Sequence, residues 1–253
     1  MTGLLYVVGL GPGSGEQITQ EACLALTQAT DLLGYGPYVA RAVALGAAKT
    51  AIAHETDNRE ELDRARHALT LAQQGRVPVV VSGGDAGVFG MASAVFEAVS
   101  EGPSSWREID IRVLPGVTAV LAAASRIGAP LGGDFCVISL SDNLKPWDVL
   151  AKRLRLAAEA GFVIALYNPR SLARPDQLDR GFAVLRDVLS GETVVIFARA
   201  IGRPGERIES TVLAQAEGAS ADMSTLVLIG CAQTRQIERP GRPPWFYTLR
   251  RIP

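Results

Sequence analysis

Short runs of consecutive aliphatic and β-branched residues alternate along the chain with longer stretches whose apolar positions recur every three or four residues. A run that is apolar at every position suits a strand buried on both faces, and the longer period suits a helix packed on such a sheet. In the first half this predicts strands at Leu4 to Val8, Lys49 to Ala53, Val77 to Ser82 and Ile109 to Leu114. Helices are predicted at Ile18 to Ala29, Pro37 to Leu45, Arg59 to Gln74 and Val88 to Val99. In the second half the strands are Phe135 to Leu140, Phe162 to Tyr167, Thr193 to Ala198, Arg207 to Leu213, Thr225 to Ile229 and Phe246 to Leu249, with helices at Trp147 to Ala160 and Asp176 to Leu189. The later strands follow one another with less helix between them, which predicts a mixed sheet there. The expected class is therefore α/β. Pro115-Gly116 closes the first run of strands, so the domain boundary is placed there, giving residues 1–116 and 117–253. The tail from Pro240 to Pro244 reads as an extended connector into one last edge strand.

Composition narrows what such a fold could do. The chain has 253 residues, 48% of them hydrophobic, enough for one large domain or two modest ones. A net charge of −1 without any block of like charge gives no field that would attract nucleic acid or an anionic membrane. No apolar run approaches the roughly 20 residues of a membrane-spanning helix. Met1-Thr2-Gly3 leads directly into the first strand without a basic segment followed by a long apolar one, so a cytoplasmic protein is expected. Cys23, Cys136 and Cys231 are far apart and, even with His54 and His67, form no metal-ligand spacing. They read as small buried hydrophobes in a reducing compartment, and no metal is expected.

Candidate chemistry lies where strands end. The first strand runs into Gly9-Leu10-Gly11-Pro12-Gly13, but the third glycine of a dinucleotide fingerprint would fall on Ser14 or Glu16. A nicotinamide-dependent oxidoreductase is disfavoured for that reason, and a Walker loop fails for want of Gly-Lys-Ser/Thr. What remains is a rigid turn whose glycines allow a ligand or a second loop to approach closely. A second loop, Ser82-Gly83-Gly84-Asp85-Ala86-Gly87-Val88-Phe89-Gly90, again ends a strand, and its acid could favour a sulfonium or an amino group. Asp85 could equally cap the helix that follows. In the third loop, Leu114-Pro115-Gly116-Val117-Thr118-Ala119, Thr118 stands at an expected helix start. Taken singly, each loop is also readable as an ordinary turn.

In this order and at these intervals the three loops closely resemble the tetrapyrrole methylase family. The resemblance extends over essentially the whole chain through Ala165-Leu166-Tyr167-Asn168-Pro169, Ala198-Arg199-Ala200-Ile201-Gly202 and Thr225-Leu226-Val227-Leu228-Ile229-Gly230. It implies two αβα domains with mixed, largely parallel sheets, and an active site in the cleft between them where S-adenosylmethionine binds. By this likeness Pro12, Gly83, Gly84, Asp85, Val88, Thr118 and Ala119 fall on cofactor-contacting positions of the first domain, and Tyr167, Asn168, Ala200 and Thr225 on those of the second. Many relatives have methionine where this chain has Asn168.

Three further strings, around Gly34-Tyr35-Gly36-Pro37-Tyr38, Ile138 to Trp147 and Leu166 to Ser171, resemble a branch of the family that acts in vitamin B12 synthesis. That likeness implies precorrin-3B as the substrate, methylated with contraction of its ring, and a homodimeric enzyme. Methyl transfer from a sulfonium needs placement more than a catalytic triad, and none is visible. Ring contraction would benefit from an acid or base, for which Ser139, Ser141, Asp142 and Lys145 are candidates because their segment distinguishes this branch. The same segment also reads as a solvated entry to the helix at Trp147. Arg126, Arg170, Arg199 and Arg203 are candidates for pairing with substrate carboxylates. Another corrin-ring methylase, a methylase of the cobalt-containing intermediate of the oxygen-independent route and a regulator that only senses an adenosyl ligand remain alternatives.

Overall fold

The computed structural model describes residues 3–13, 15–57 and 60–251, and the chain divides into two compact units, Met1–Ala119 and Val120–Pro253. The first contains β1 (Leu4–Gly9), α1 (Gln20–Gln28), β2 (Asp31–Tyr35), α2 (Gly36–Ala44), β3 (Ile52–Thr56), α3 (Glu61–Gln73), β4 (Pro78–Ser82), α4 (Met91–Glu101) and β5 (Asp110–Leu114). Its five strands pair in parallel in the order β3-β2-β4-β1-β5.

Successive side chains of a strand point to opposite faces, and β1 displays the consequence. Leu5 and Val7 join a core with α3 and α4, while Tyr6 and Val8 join another with α1 and α2. This double burial explains why β1 and β4 read as unbroken apolar runs. Local signals fix the helix starts: Thr19 Oγ1 accepts from Ala22 N at 3.2 Å at the head of α1, and Pro37 occupies the first turn of α2.

The strand β2 was absent from the sequence expectation because it opens on an acid and contains Gly34. Both features have structural causes. A Cβ at Gly34 would lie 2.6 Å from Val81 Cγ2 on the neighbouring strand, so only glycine lets β2 seat there. The Asp31 side chain is inaccessible to solvent but accepts from Arg76 Nε at 2.6 Å and Thr30 Oγ1 at 2.7 Å, and lies 2.7 Å from His54 Nε2. Its strand partner β3 begins three residues later than expected, and the predicted start of the third helix, Arg59, lies outside the described residues.

Burial alone would push the Asp31 carboxyl up, but the hydrogen bonds from His54, Thr30 and Arg76 and the Arg76 charge outweigh it, leaving the group below its ordinary value. A carboxyl lowered in the folded state stabilises the fold above its unfolded pKa of about 3.9, and that contribution disappears as pH falls through the lower folded value. Asp31→Asn is therefore expected to cost about 2 kcal/mol at neutral pH and to flatten the acid limb of stability. Thermal melts of both proteins from pH 7 down to pH 3 check this, and parallel acid limbs would contradict it.

The second unit follows α5 (Ala119–Ile127) with β6 (Gly128–Ala129), β7 (Phe135–Ser139), α6 (Trp147–Glu159), β8 (Val163–Tyr167), α7 (Gln177–Arg186), β9 (Val194–Arg199), β10 (Arg207–Val212), β11 (Thr225–Ile229), β12 (Thr234–Arg239) and β13 (Arg242–Thr248). Its main sheet has the order β10-β9-β11-β8-β7 and is mixed, as expected: β7 and β8 are parallel and the other three pairings antiparallel. One face packs on α6 and α7 around the fully buried Phe182, and the Arg180 guanidinium lies 3.9 Å from the Trp147 ring centroid at the helix entry. The tail corrects its expectation. Pro240-Gly241 is the turn of a hairpin between β12 and β13, with Gly241 at φ +67°, and β13 is the central strand of the sheet β12-β13-β6. Proline at 240, 243 and 244 suggested a connector, yet Phe246 and Thr248 bury one face of the strand. All three cysteines are unpaired, Cys231 buried and the other two half-buried.

Candidate active site

In the first unit β4 and β1 are adjacent and parallel, so the loops that follow them leave the same end of the sheet. The chain then parts: α1 packs on the face of Tyr6 and Val8, α4 on the face of Leu5 and Val7. Where the helices that follow two adjacent strands go to opposite faces, a crevice opens beyond the carboxyl ends of the strands, the usual ligand position in open α/β sheets. The three glycine-rich loops meet there. Gly11 N donates to Gly84 O at 2.9 Å and Gly84 N to Gly11 O at 2.7 Å, while Leu10 N donates to Ser82 O at 2.9 Å. Asp85 ties in the third loop. Its Oδ1 accepts from Gly87 N at 2.7 Å and Val88 N at 3.0 Å, and its Oδ2 from Gly116 N at 2.9 Å.

This corrects the reading of Asp85 as the cap of the following helix. It does not cap α4, whose preceding residue is Gly90, and its two oxygens are bound to backbone donors of two loops. The glycines are explained by the same convergence. A Cβ at Gly9 would lie 2.7 Å from Gly116 N, and one at Gly116 only 2.2 Å from Gly84 O. Gly83 packs beneath Tyr38, where a Cβ would lie 2.6 Å from the ring. Pro12, Gly83, Gly84, Asp85, Val88 and Ala119 are half-buried, and Thr118, immediately before α5, is buried. Sequence reading missed Arg41, which donates to the carbonyls of Gly11 at 2.9 Å and Leu10 at 2.5 Å and so pins the first loop from α2. It lies within the predicted helix Pro37 to Leu45, where nothing in the sequence marks the loop it faces.

In the second unit, Tyr167 closes β8 and its hydroxyl accepts from Val120 N at 2.9 Å, satisfying one of the open donors at the head of α5. Asn168 follows at φ +51°, and Ala200 stands at φ +49° after β9. Together with Phe89 at φ +53°, in the loop between β4 and α4, these are the non-glycine residues with left-handed backbone among those described. Such backbone costs roughly 1 kcal/mol or more for a residue with a Cβ and concentrates where geometry serves function. Ala200 N donates to Ser224 O, and Thr225 Oγ1 donates to Asp222 Oδ1 at 2.8 Å, so Ala200 and Thr225 belong to one network. Burial would raise the Asp222 carboxyl, but hydrogen bonds from Thr225, Arg199 and Ser224 and the Arg199 charge hold it below its ordinary value.

The branch-specific segment is more sharply divided than sequence suggested. Ser139 is buried, and its hydroxyl accepts from Asn168 Nδ2 at 2.9 Å and from Ser141 N at 3.3 Å. It positions Asn168 and the loop. Asp142 stands 4.0 Å from Arg174 Nε, and the Lys145 amine is lowered by burial and by the charge of Arg153. Of the arginines nominated for substrate, Arg126 pairs with Glu206 at 3.1 Å and Arg199 with Asp222 at 2.8 Å. Their charges are used within the unit. Among the described residues no cluster of three or more His, Cys, Asp or Glu could hold a metal ion, and no helix is long and apolar enough to cross a membrane.

Comparisons with known proteins bear on this arrangement. The model of the Tetrapyrrole (Corrin/Porphyrin) Methylases matches residues 4–217. A Precorrin-3B C(17)-methyltransferase of Sinorhizobium sp is 56% identical over 99% of this chain and 97% of its own. The crystal structure of the methyltransferase CobJ superimposes with a TM-score of 0.92 at 50% identity, covering 98% of this chain and all of the other. A uroporphyrin-III C-methyl transferase from Thermus thermophilus, complexed with S-adenyl homocysteine, shares the fold at 23% identity, with a TM-score of 0.69 over 90% of this chain and 97% of its own. The loops that meet at the carboxyl ends of β1, β4 and β5 lie wholly within the matched region, and the chain belongs to the tetrapyrrole (corrin/porphyrin) methylase family.

Proposed function

We propose that this methyltransferase uses S-adenosylmethionine to methylate precorrin-3B at C17, with ring contraction, in cobalamin biosynthesis. The observation that carries this reading is the 56% identity to a precorrin-3B C(17)-methyltransferase over nearly the full length of both chains. The donor set of the first unit fits an adenosyl sulfonium: small residues and backbone amides and carbonyls at a sheet crevice, with one carboxylate at the loop junction. S-adenosylmethionine supplies an activated methyl group that leaves a neutral thioether behind.

What the protein contributes is placement. Arg41 fixes the first loop and Asp85 the other two, so little freedom remains to be lost when a ligand settles on them. In the second unit Ser139 orients Asn168, and Tyr167 holds the head of α5. For the proton movements of ring contraction, Asp142 and Lys145 remain candidates, both on the segment after β7; Ser141 lies beside them, while the buried Ser139 acts through Asn168. Pro12, Gly83, Gly84, Val88, Thr118 and Ala119 in the first unit, and Ala200 and Thr225 in the second, are the other candidate donor-contacting residues. We further propose a cytoplasmic homodimer, on family likeness.

Incubating the protein with methyl-labelled S-adenosylmethionine and either precorrin-3B or its cobalt-containing counterpart tests the substrate. Label is expected in the metal-free macrocycle, with faster turnover than for the cobalt form. Turnover of the cobalt form alone would move the chain to the oxygen-independent route.

A further inference from the structure

Two leucines in the second unit are fully exposed, and the fold brings their loops together. Leu144 is 99% exposed in the loop after β7, and Leu172 is 104% exposed in the loop after β8. Because β7 and β8 are adjacent and parallel, both loops leave the same end of the sheet. They are fastened there: Leu140 N donates to Tyr167 O at 2.9 Å, Asn168 Nδ2 to Ser139 Oγ at 2.9 Å, and Gln177 Nε2 to Leu140 O at 3.0 Å. Ser171 and Arg174 exchange backbone hydrogen bonds at 3.2 and 3.1 Å, closing a turn whose tip carries Leu172. A leucine wholly in water contributes nothing to packing.

Arg174 gives the surface a second character. Its Nη1 is buried and meets no hydrogen-bond acceptor among the described residues. Asp142, 4.0 Å from Nε, is at the outer limit of an ion pair. The side chain is 14% exposed, and that exposure lies on its other atoms. An arginine paired by the protein only at that limiting distance keeps charge for a ligand carboxylate that comes up beside its exposed atoms, while the buried Nη1 stays inside. Apolar tips beside such a cation match a macrocycle that is apolar across its ring face and carries carboxylates at its edge.

We propose that the loops after β7 and β8 form the macrocycle platform, with Leu144 and Leu172 laid against the ring and Arg174 bonded to a peripheral carboxylate. This rests on the precorrin reading of the function. It assigns the segment mainly to substrate recognition.

The test uses the full-length protein with Leu144 and Leu172 both replaced by serine, and separately Arg174→Gln and Arg174→Lys. Each exposed leucine covered by ligand is worth on the order of tenfold in affinity. The double variant should raise the KM for precorrin-3B by about a hundredfold and leave the S-adenosylhomocysteine affinity and the melting temperature unchanged. Arg174→Gln should raise the same KM, and Arg174→Lys should recover part of it. Unchanged KM values in these variants would overturn the proposal. Fluorescence titration with uroporphyrin III, a stable polycarboxylate macrocycle, separates this from the function reading. If the wild-type protein fails to turn over precorrin-3B, weaker uroporphyrin binding by the variants still supports the platform. Equal binding by all of them overturns it.

Discussion

Replacing Asp85 by alanine is expected to weaken binding of S-adenosylhomocysteine by about a hundredfold and to lower stability by about 2 to 3 kcal/mol. The carboxylate accepts three backbone N–H groups, two in its own loop and one, from Gly116, in the loop after β5. Hydrogen bonds to a charged acceptor are each worth about 1.5 to 3 kcal/mol, reduced here by partial exposure to water. Without them the loops after β4 and β5 lose their common anchor, and Gly116 N is left facing a void. The affinities of two ligands distinguish an organiser of loops from a charge that attracts the sulfonium. S-adenosylmethionine carries a positive sulfur and S-adenosylhomocysteine does not. An organising Asp85 makes both affinities fall together on mutation, whereas an electrostatic one makes only the first fall. Asp85→Asn should lie between wild type and alanine, because the amide offers one acceptor oxygen where two are used. Calorimetric titration of the three proteins reads all of this, and unchanged affinities in Asp85→Ala would remove the residue from the site.

The second large effect is expected at Gly116. An alanine Cβ there would stand 2.2 Å from Gly84 O and 2.8 Å from both the carbonyl carbon and oxygen of Gly9. Every atom met is backbone, so relief requires three strand-end loops to separate. Gly116→Ala should cost about 3 kcal/mol or more and abolish measurable donor binding in any fraction that folds. Gly75→Ala provides the contrast. Gly75, unlike Gly116, has positive φ, +79°, but nothing lies within 4 Å of its added Cβ, so the change should cost only about 1 kcal/mol, from backbone strain alone, and leave binding intact. Thermal melts and calorimetry of both variants check the pair; similar losses in the two would contradict the steric argument.

What was legible in the sequence follows from which forces are local. Strands such as β1 and β11 announce themselves because burial on both faces demands an unbroken apolar run. The glycine-rich loops were legible because close approach of backbones forbids side chains, and glycine is the trace this leaves. The strand β2 was not legible. Its opening acid is tolerated only because Arg76, His54 and Thr30, distant or loop-borne in sequence, converge on it. The hairpin at the tail was hidden for a related reason: proline disfavours a central strand, and only the pairing of β13 with β12 and β6 shows that its remaining donors suffice. At the site, Asp85 was nominated beside the cofactor or as a helix cap, and the backbone donors of two loops that converge on its carboxylate were not legible. Arg41 and Arg174 carried no sequence signal, since what each arginine faces is decided by tertiary packing. Arg126 and Arg199, which sequence did nominate, pair with the neighbouring carboxylates Glu206 and Asp222.

The position of the new methyl group bears most directly on the central claim. The protein is incubated with precorrin-3B and S-adenosylmethionine bearing a carbon-13 methyl, and the product is examined by NMR and mass spectrometry. The expected result is one labelled methyl at C17 of a ring-contracted macrocycle, formed in step with S-adenosylhomocysteine. A label at any other ring carbon, or donor consumption without a labelled macrocycle, would contradict it.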